Sequence, residues 1–348
     1  MVVEGKIYKE CFVVFFMVYL YKKIIQGKPY YYLRVSERQG RRVITKDIAY
    51  LGNSISQVKK KLNNLSQYKD QIRKSYSKRH KFLESNYYLE KVRELKLKKD
   101  SFLEEKKKEI EACKLHFNSD FKRLDEKTKQ EIYKHFVIEF SFNSTSIEGN
   151  TITLRQARDL LEEGKTPKNR TLREIYDLQN QEEVFFELLD SNKSINHKFI
   201  QEVHKKLMKN IDERTGYRTR DVRVIKAGFK STPAWYVKTD MDLLLEWYRK
   251  NKSKLHPFVL AVGFHHKFEK IHPFMDGNGR TGRMIMNYIL MKHNYPPVIV
   301  KNKTRSEYLD ALKEADNSGL KKMKEENYKK LIDFVSDELV SSYWDIFL

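Results

Sequence analysis

Between His272 and Arg283 the chain sets an imidazole, a carboxylate, an amide, glycines and two guanidinium groups within twelve consecutive positions: His272-Pro273-Phe274-Met275-Asp276-Gly277-Asn278-Gly279-Arg280-Thr281-Gly282-Arg283. These are the parts needed to hold a nucleoside triphosphate and deprotonate a hydroxyl. His272 is a residue type that serves as general base near neutral pH. Asp276 is a hard oxygen donor suited to Mg²⁺ bridging phosphates. Arg280 and Arg283, three apart, share one face of a helix and can grip neighbouring phosphates. Taken singly, each feature has a plainer reading: a structural His-Pro, an ordinary Gly-x-Gly turn, a solvated arginine pair. Their concentration at this spacing points to a phosphate site.

The elements around this stretch must present it. Pro273 bars the preceding helix from continuing, so His272 is expected at a helix end. Gly277 and Gly279 flank Asn278 in a composition suited to a tight turn with positive φ. A helix is expected from Arg280, with Met284, Tyr288 and Met291 at helical spacing, stopped by Asn294 and Pro296-Pro297. A turn feeding a helix N-terminus aims backbone N–H groups and the positive dipole end outward, which makes an anion site.

The segment resembles the signature of the Fic (filamentation induced by cAMP) family, H-P-F-x-D-G-N-G-R-x-x-R, at every fixed position. Members of that family mostly transfer AMP from ATP to a hydroxyl side chain of a target protein. The resemblance implies His272 as base and Asp276 as the Mg²⁺ ligand. It implies Gly277, Asn278 and Gly279 as the hole for the α- and β-phosphates, Arg280 on the β- and γ-phosphates and Arg283 on the γ-phosphate. Thr281 and Gly282 complete the nucleotide-binding stretch. The branch of the family that phosphorylates its targets has Lys where Gly279 stands, so AMP transfer is the implied reaction.

The resemblance extends from about Phe136 to Phe334. His265, Phe268 and Ile271 match the helix that approaches the signature; His265 and Phe268 are expected as core and support residues, and a zinc site of His265, His266 and His272 is not expected. Gly216-Tyr217-Arg218 precedes a stretch resembling the family's flap, a short β-hairpin that captures the target by strand addition. Here it would run from about Val222 to Pro233 and include Val224, Ile225 and Lys226. Tyr308 resembles a tyrosine that faces the adenine, although the Asn the family often carries eight residues later is Asp316 here. Upstream, Ser144-Thr145-Ser146-Ile147-Glu148-Gly149 fits the family's inhibitory pattern, [S/T]-x-x-x-E-[G/N], in a class II-like position before the core. It sits on an amphipathic run from about Lys127, with Gly149 as a natural stop. The resemblance implies that Glu148 pairs with Arg283 and so keeps ATP from docking productively.

The expected fold class is mainly α: a Fic-type helical core over 126–348 with a β-hairpin flap, preceded by a small β-meander (1–53) and a charged helical linker (54–125). Strand composition marks Tyr19 to Ile25, Tyr30 to Val35 and Val43 to Tyr50, with turns at Gly27-Lys28-Pro29 and Gln39-Gly40. Of 348 residues, 69 are Lys or Arg and 47 Asp or Glu, a net of +22, and +15 of it lies in the residues through Asp125. Tyrosines interleaved with Lys and Arg on a small sheet can bind nucleic acid, but a basic solvated face on a helper module is the preferred reading.

Two cysteines, Cys11 and Cys113, offer no disulfide framework, and a reducing cytoplasm is expected. The apolar run Cys11 to Leu20 is shorter than the ~20 residues that span a bilayer, so no membrane association is expected, and Met17 offers an alternative start. The implied partners are ATP and an unidentified protein target, with self-modification and homodimerisation in keeping with the resemblance. Two further functions stay open: AMP removal by the same site, and a nucleic-acid-binding regulator with a nucleotide-sensing core.

Overall fold

The computed structural model describes residues 16–39, 42–65, 70, 73, 76–222 and 231–348. The chain divides into two compact units, 1–94 and 95–348. Residues up to Glu94 of the stretch expected as a linker therefore belong to the first unit, and those from Leu95 to the second.

The first unit contains an antiparallel meander, β1 (Phe16–Ile25), β2 (Lys28–Gln39) and β3 (Arg42–Gly52), in the order β1-β2-β3. All three strands are longer than strand composition suggested. The first turn is Gln26-Gly27, both at positive φ (49° and 76°), the geometry that matches strand twist in a two-residue hairpin. Lys28 and Pro29, expected in the turn, already pair with Ile25 and Ile24. Pairing with β3 begins only at Tyr31, so Pro29 needs no N–H on that side. Alternation along β2 buries Tyr31 and Leu33, which pack with Val18, Leu51 and two helices, α1 (Ile55–Asn63) and α2 (Tyr76–Glu94). Glu90 of α2 serves both elements: it accepts from the Tyr31 hydroxyl at 2.8 Å and from the Ile55 N–H at the start of α1 at 3.0 Å.

The second unit is helical: α3 (Lys106–Ser119), α4 (Glu126–Ile147), α5 (Leu154–Glu163), α6 (Leu172–Leu189), α7 (His197–Leu207), α8 (Val237–Asn251), α9 (Pro257–Ile271), α10 (Asn278–Lys292), α11 (Arg305–Ala315) and α12 (Glu325–Ile346). Its α9 is buried on every side: Val259, Leu260, Val262, Phe264 and Phe268 are fully inaccessible, and the polar His265, His266 and Lys267 are buried with them. The α10 helix packs along it. Gly282 permits that approach, because a Cβ there would stand 2.6 Å from Glu269 Oε1. Residues 95–125 join this body because Ile110, Cys113, Phe117 and Phe121 are buried, Phe117 and Phe121 against Phe347 after α12. Among the described residues no helix is long and apolar enough to cross a membrane.

Candidate active site

The loop from His272 to Gly277 links α9 to α10, and local bonds hold it in one shape. Asn278 reaches back across it: its Oδ1 accepts from the Phe274 N–H at 2.8 Å, and its Nδ2 donates to the Phe274 carbonyl at 2.9 Å. The Asn278 side chain thus braces the turn, leaving its backbone N–H as the part that can meet a phosphate. Gly277 (φ 75°) has no room for a side chain, since a Cβ would lie 2.5 Å from Met208 Sδ. The α10 helix begins at Asn278, two residues before the expected Arg280, and its first internal bond is from Thr281 N–H to Gly277 O. The N–H groups of Asn278, Gly279 and Arg280 therefore lie outside the helix ladder and form the anion-binding end.

His272 caps α9 in the left-handed region (φ 53°, ψ 61°). For a residue with a Cβ this costs roughly 1–2 kcal/mol, and its neighbours enforce it. The His272 N–H donates to Phe268 O at 2.9 Å, and its carbonyl accepts from Arg218 Nε at 2.8 Å. Burial lowers the imidazole below its ordinary value, against the opposing charge of Glu148. The ring is therefore neutral, and competent as a base, at neutral pH.

Two arginines on α10 are committed to different partners. Arg280 donates to Asp177 of α6 and, at 3.2 Å, to Asp276 Oδ1, while Arg173 holds the other oxygen of Asp276. Arg283, 2% exposed, donates through Nε to Ser144 Oγ at 3.0 Å and through Nη2 to Ser144 O and Glu148 Oε1, both at 2.8 Å. Withdrawal from water raises the Glu148 carboxyl, but the charge and hydrogen bond of Arg283 outweigh it, and the net shift is downward. Glu148 remains 42% exposed, so the pair can be reached from the open side of the site.

Glu148 is the C-cap of α4, and Gly149 (φ 104°) turns the chain away, as expected of a glycine at a helix stop. A carboxylate at a helix C-terminus opposes the dipole; here Arg283 compensates. Arg305 Nε fixes the helix end by donating to Ile147 O at 2.9 Å.

Other expected site residues lie elsewhere. Tyr308 is buried: its hydroxyl sits 2.6 Å from His265 Nε2, and its ring packs on Phe334. Its hydroxyl also lies within reach of the Arg283 guanidinium. His265 and His266 are both core residues, with His266 held between Tyr328 and Asp316. Thr281 is fully buried. Val224, Ile225 and Lys226 lie outside the described residues. The ends of that segment are nevertheless drawn together: Asp221 accepts from the Ala234 N–H at 2.7 Å, and Arg218 donates to Thr232 O as well as to His272 O.

Sequence reasoning missed Asp177, Arg173 and His204. His204 stacks on Phe274 with centroids 3.6 Å apart and sits 2.9 Å from the Asp276 carbonyl. None of these has a local signal, although the capping box Thr171-Glu174 marks the start of the helix that carries Asp177.

A divalent metal fits this site only in part through protein donors. Among the described residues no cluster of three or more His, Cys, Asp or Glu could hold one. Asp276, 32% exposed beside the anion-binding end, could supply one carboxylate, with phosphate oxygens completing the shell.

Residues 194–290 match the model of the Fic/DOC family, and the chain carries a domain of that family. It is 31% identical over 193 residues to the protein adenylyltransferase Fic of Aedes aegypti, covering 54% of this chain and 39% of that one. It is 30% identical over 188 residues to the protein adenylyltransferase fic-1 of Caenorhabditis elegans. The chain thus spans about two fifths of the length of the curated relatives it matches. A solved Fic-domain signaling protein from Bacteroides thetaiotaomicron superposes with a TM-score of 0.61 at 26% identity, over 67% of this chain and 94% of that one.

Proposed function

We propose that the chain is an autoinhibited, class II-like protein adenylyltransferase that moves AMP from Mg²⁺-ATP to a Tyr, Thr or Ser hydroxyl of a protein, itself included. The observation that carries the reading is the convergence on one helix N-terminus of a neutral buried His272, free backbone donors at 278–280, and Arg280 and Arg283. The likeness to relatives named protein adenylyltransferases supports it.

In this reading the N–H groups of Asn278, Gly279 and Arg280 seat the phosphates, and the two guanidinium groups neutralise the far end of the triphosphate. His272 removes the proton from the target hydroxyl. The hydroxyl oxygen attacks the α-phosphorus in line, the bond to the bridging oxygen breaks, and pyrophosphate departs. Mg²⁺, when bound, screens charge on the phosphate oxygens, and Asp276 is its protein ligand. With Arg283 held by Glu148 and Ser144, the γ-phosphate loses one of its two guanidinium groups, and the resting chain is restrained. The reading places the protein in the cytoplasm. Incubation with α-labelled ATP and bulk protein tests it: label must appear on protein, and γ-label must not.

One observation favours a second activity at the same site. Glu148 is open to solvent and its charge is felt by His272, so it could hold a water for removal of AMP from a modified protein. Release of AMP from such a protein, lost in Glu148→Gly, would establish this direction.

A further inference from the structure

We propose that the open face of the N-terminal sheet binds single-stranded nucleic acid by stacking unpaired bases on tyrosines. From the sequence alone a solvated helper face was the preferred reading of this region. The strand register changes that, because it sorts the aromatic residues onto one side. Tyr31 and Leu33 point into the core, so Tyr30, Tyr32 and Arg34 point the other way. Cross-strand pairing places Tyr21 and Tyr50 on either side of Tyr32, and Tyr19 beside Arg34.

The rings form a connected surface. Tyr32 and Tyr50 have centroids 5.3 Å apart, and Tyr30 and Tyr50 6.3 Å apart. Tyr50 is 45% exposed. Arg34 lies 3.6 Å above the Tyr21 ring and pairs with Asp47, so Tyr21 is already capped, and the platform is Tyr30, Tyr32 and Tyr50. Cations border it: exposed Lys23 pairs across from Tyr30, and Lys61 of α1 sits 5.1 Å from the Tyr50 ring.

Charge selects the occupant. Residues 1–94 contain 21 Lys and Arg against 8 Asp and Glu, so this unit holds +13 of the chain's +22. A polyanion is the matching partner. Aromatic faces on a sheet accept any base by stacking, whereas a duplex keeps its bases stacked on one another and leaves such rings unused.

Fluorescence anisotropy of the full chain with a fluorescein-labelled 20-nucleotide oligo-dT tests the proposal, with the matched dT·dA duplex as competitor. Binding is expected to weaken with salt, to be displaced poorly by duplex, and to fall about tenfold or more in Tyr32→Leu/Tyr50→Leu. Tyr32→Phe/Tyr50→Phe, which keeps the rings, should retain affinity within about threefold. Lys23→Gln/Lys61→Gln, at exposed rim positions outside the core, should flatten the salt dependence. Circular dichroism melting separates lost stacking from lost fold in the Leu variant. The proposal is overturned if the chain does not bind oligo-dT at low salt, if duplex competes equally, if the Leu variant binds as the parent does, or if the Phe variant loses as much as the Leu variant.

Discussion

Gly279 and Glu148 share one small volume at the start of α10: a Cβ on Gly279 would stand 2.0 Å from Glu148 Oε1. The missing side chain is what lets a carboxylate from the end of α4 reach Arg283. The same glycine leaves the backbone at the start of the helix uncovered, so one residue serves both the Glu148–Arg283 pair and the candidate phosphate site.

Replacing Glu148 by Gly should therefore release Arg283 without altering the turn. A hydrogen bond between charged groups contributes about 1.5–3 kcal/mol, so AMP incorporation from α-labelled ATP should rise by about tenfold or more. Unchanged labelling would remove Glu148 from any inhibitory role.

His272→Ala, made in the Glu148→Gly background, should lower labelling by about 10²- to 10⁴-fold, the usual contribution of a general base. ATP affinity should stay near that of the parent, because the backbone bonds of His272 that shape the loop are kept, although the bond of its ring to the Glu269 backbone is lost. Persistent labelling would assign the base elsewhere.

The signature was legible because its chemistry is contiguous and its turn residues have local reasons to be there. Glu148 was legible from a short pattern on the end of a predictable helix. Asp177 and Arg173 were not: each meets the loop from 103 residues away, through a tertiary contact that no window reveals. The contact between the Tyr308 hydroxyl and His265 has the same origin, since the likeness that singles out Tyr308 does not say what its hydroxyl meets. In the first unit the strands followed from composition, whereas the turn moved to Gln26-Gly27 because hairpin twist overrides the attraction of Pro29 to turns.

The acid limb of kcat/KM in the Glu148→Gly protein should lie below pH 6.5, the ordinary imidazole value, because burial disfavours protonated His272. Glu148→Gly also removes the charge that opposed this shift, so the limb should move further toward acid. A limb above 6.5 would contradict the neutral, buried base.

Acidification should not relieve the restraint. The Glu148 carboxyl is held below its ordinary value of 4.5 by Arg283, so the pair stays charged throughout the neutral range. Parent-protein labelling measured from pH 5.5 to 8 should remain low throughout. A burst of activity on mild acidification would count against the pair as the lock.

Glu269 behaves in the opposite sense. Burial pushes its carboxyl up to about 8, and its Oε1 has no hydrogen-bond partner. The unfolded chain loses this proton near 4.5 while the folded one keeps it until about 8. Stability is thus full below 4.5 and declines as pH rises through that window. Glu269→Gln should therefore raise the melting temperature more at pH 8 than at pH 5. Equal effects at both values would show that the carboxyl is ionised in the fold.

Arg218 ties the loop that carries His272 to the chain at Thr232. Its planar fork, fully inaccessible, grasps the His272 carbonyl with one arm and the Thr232 carbonyl with another, while its own N–H holds Pro273 O at 2.9 Å. Whatever displaces the chain at Thr232 must break, or carry with it, the side chain that fixes the His272 carbonyl.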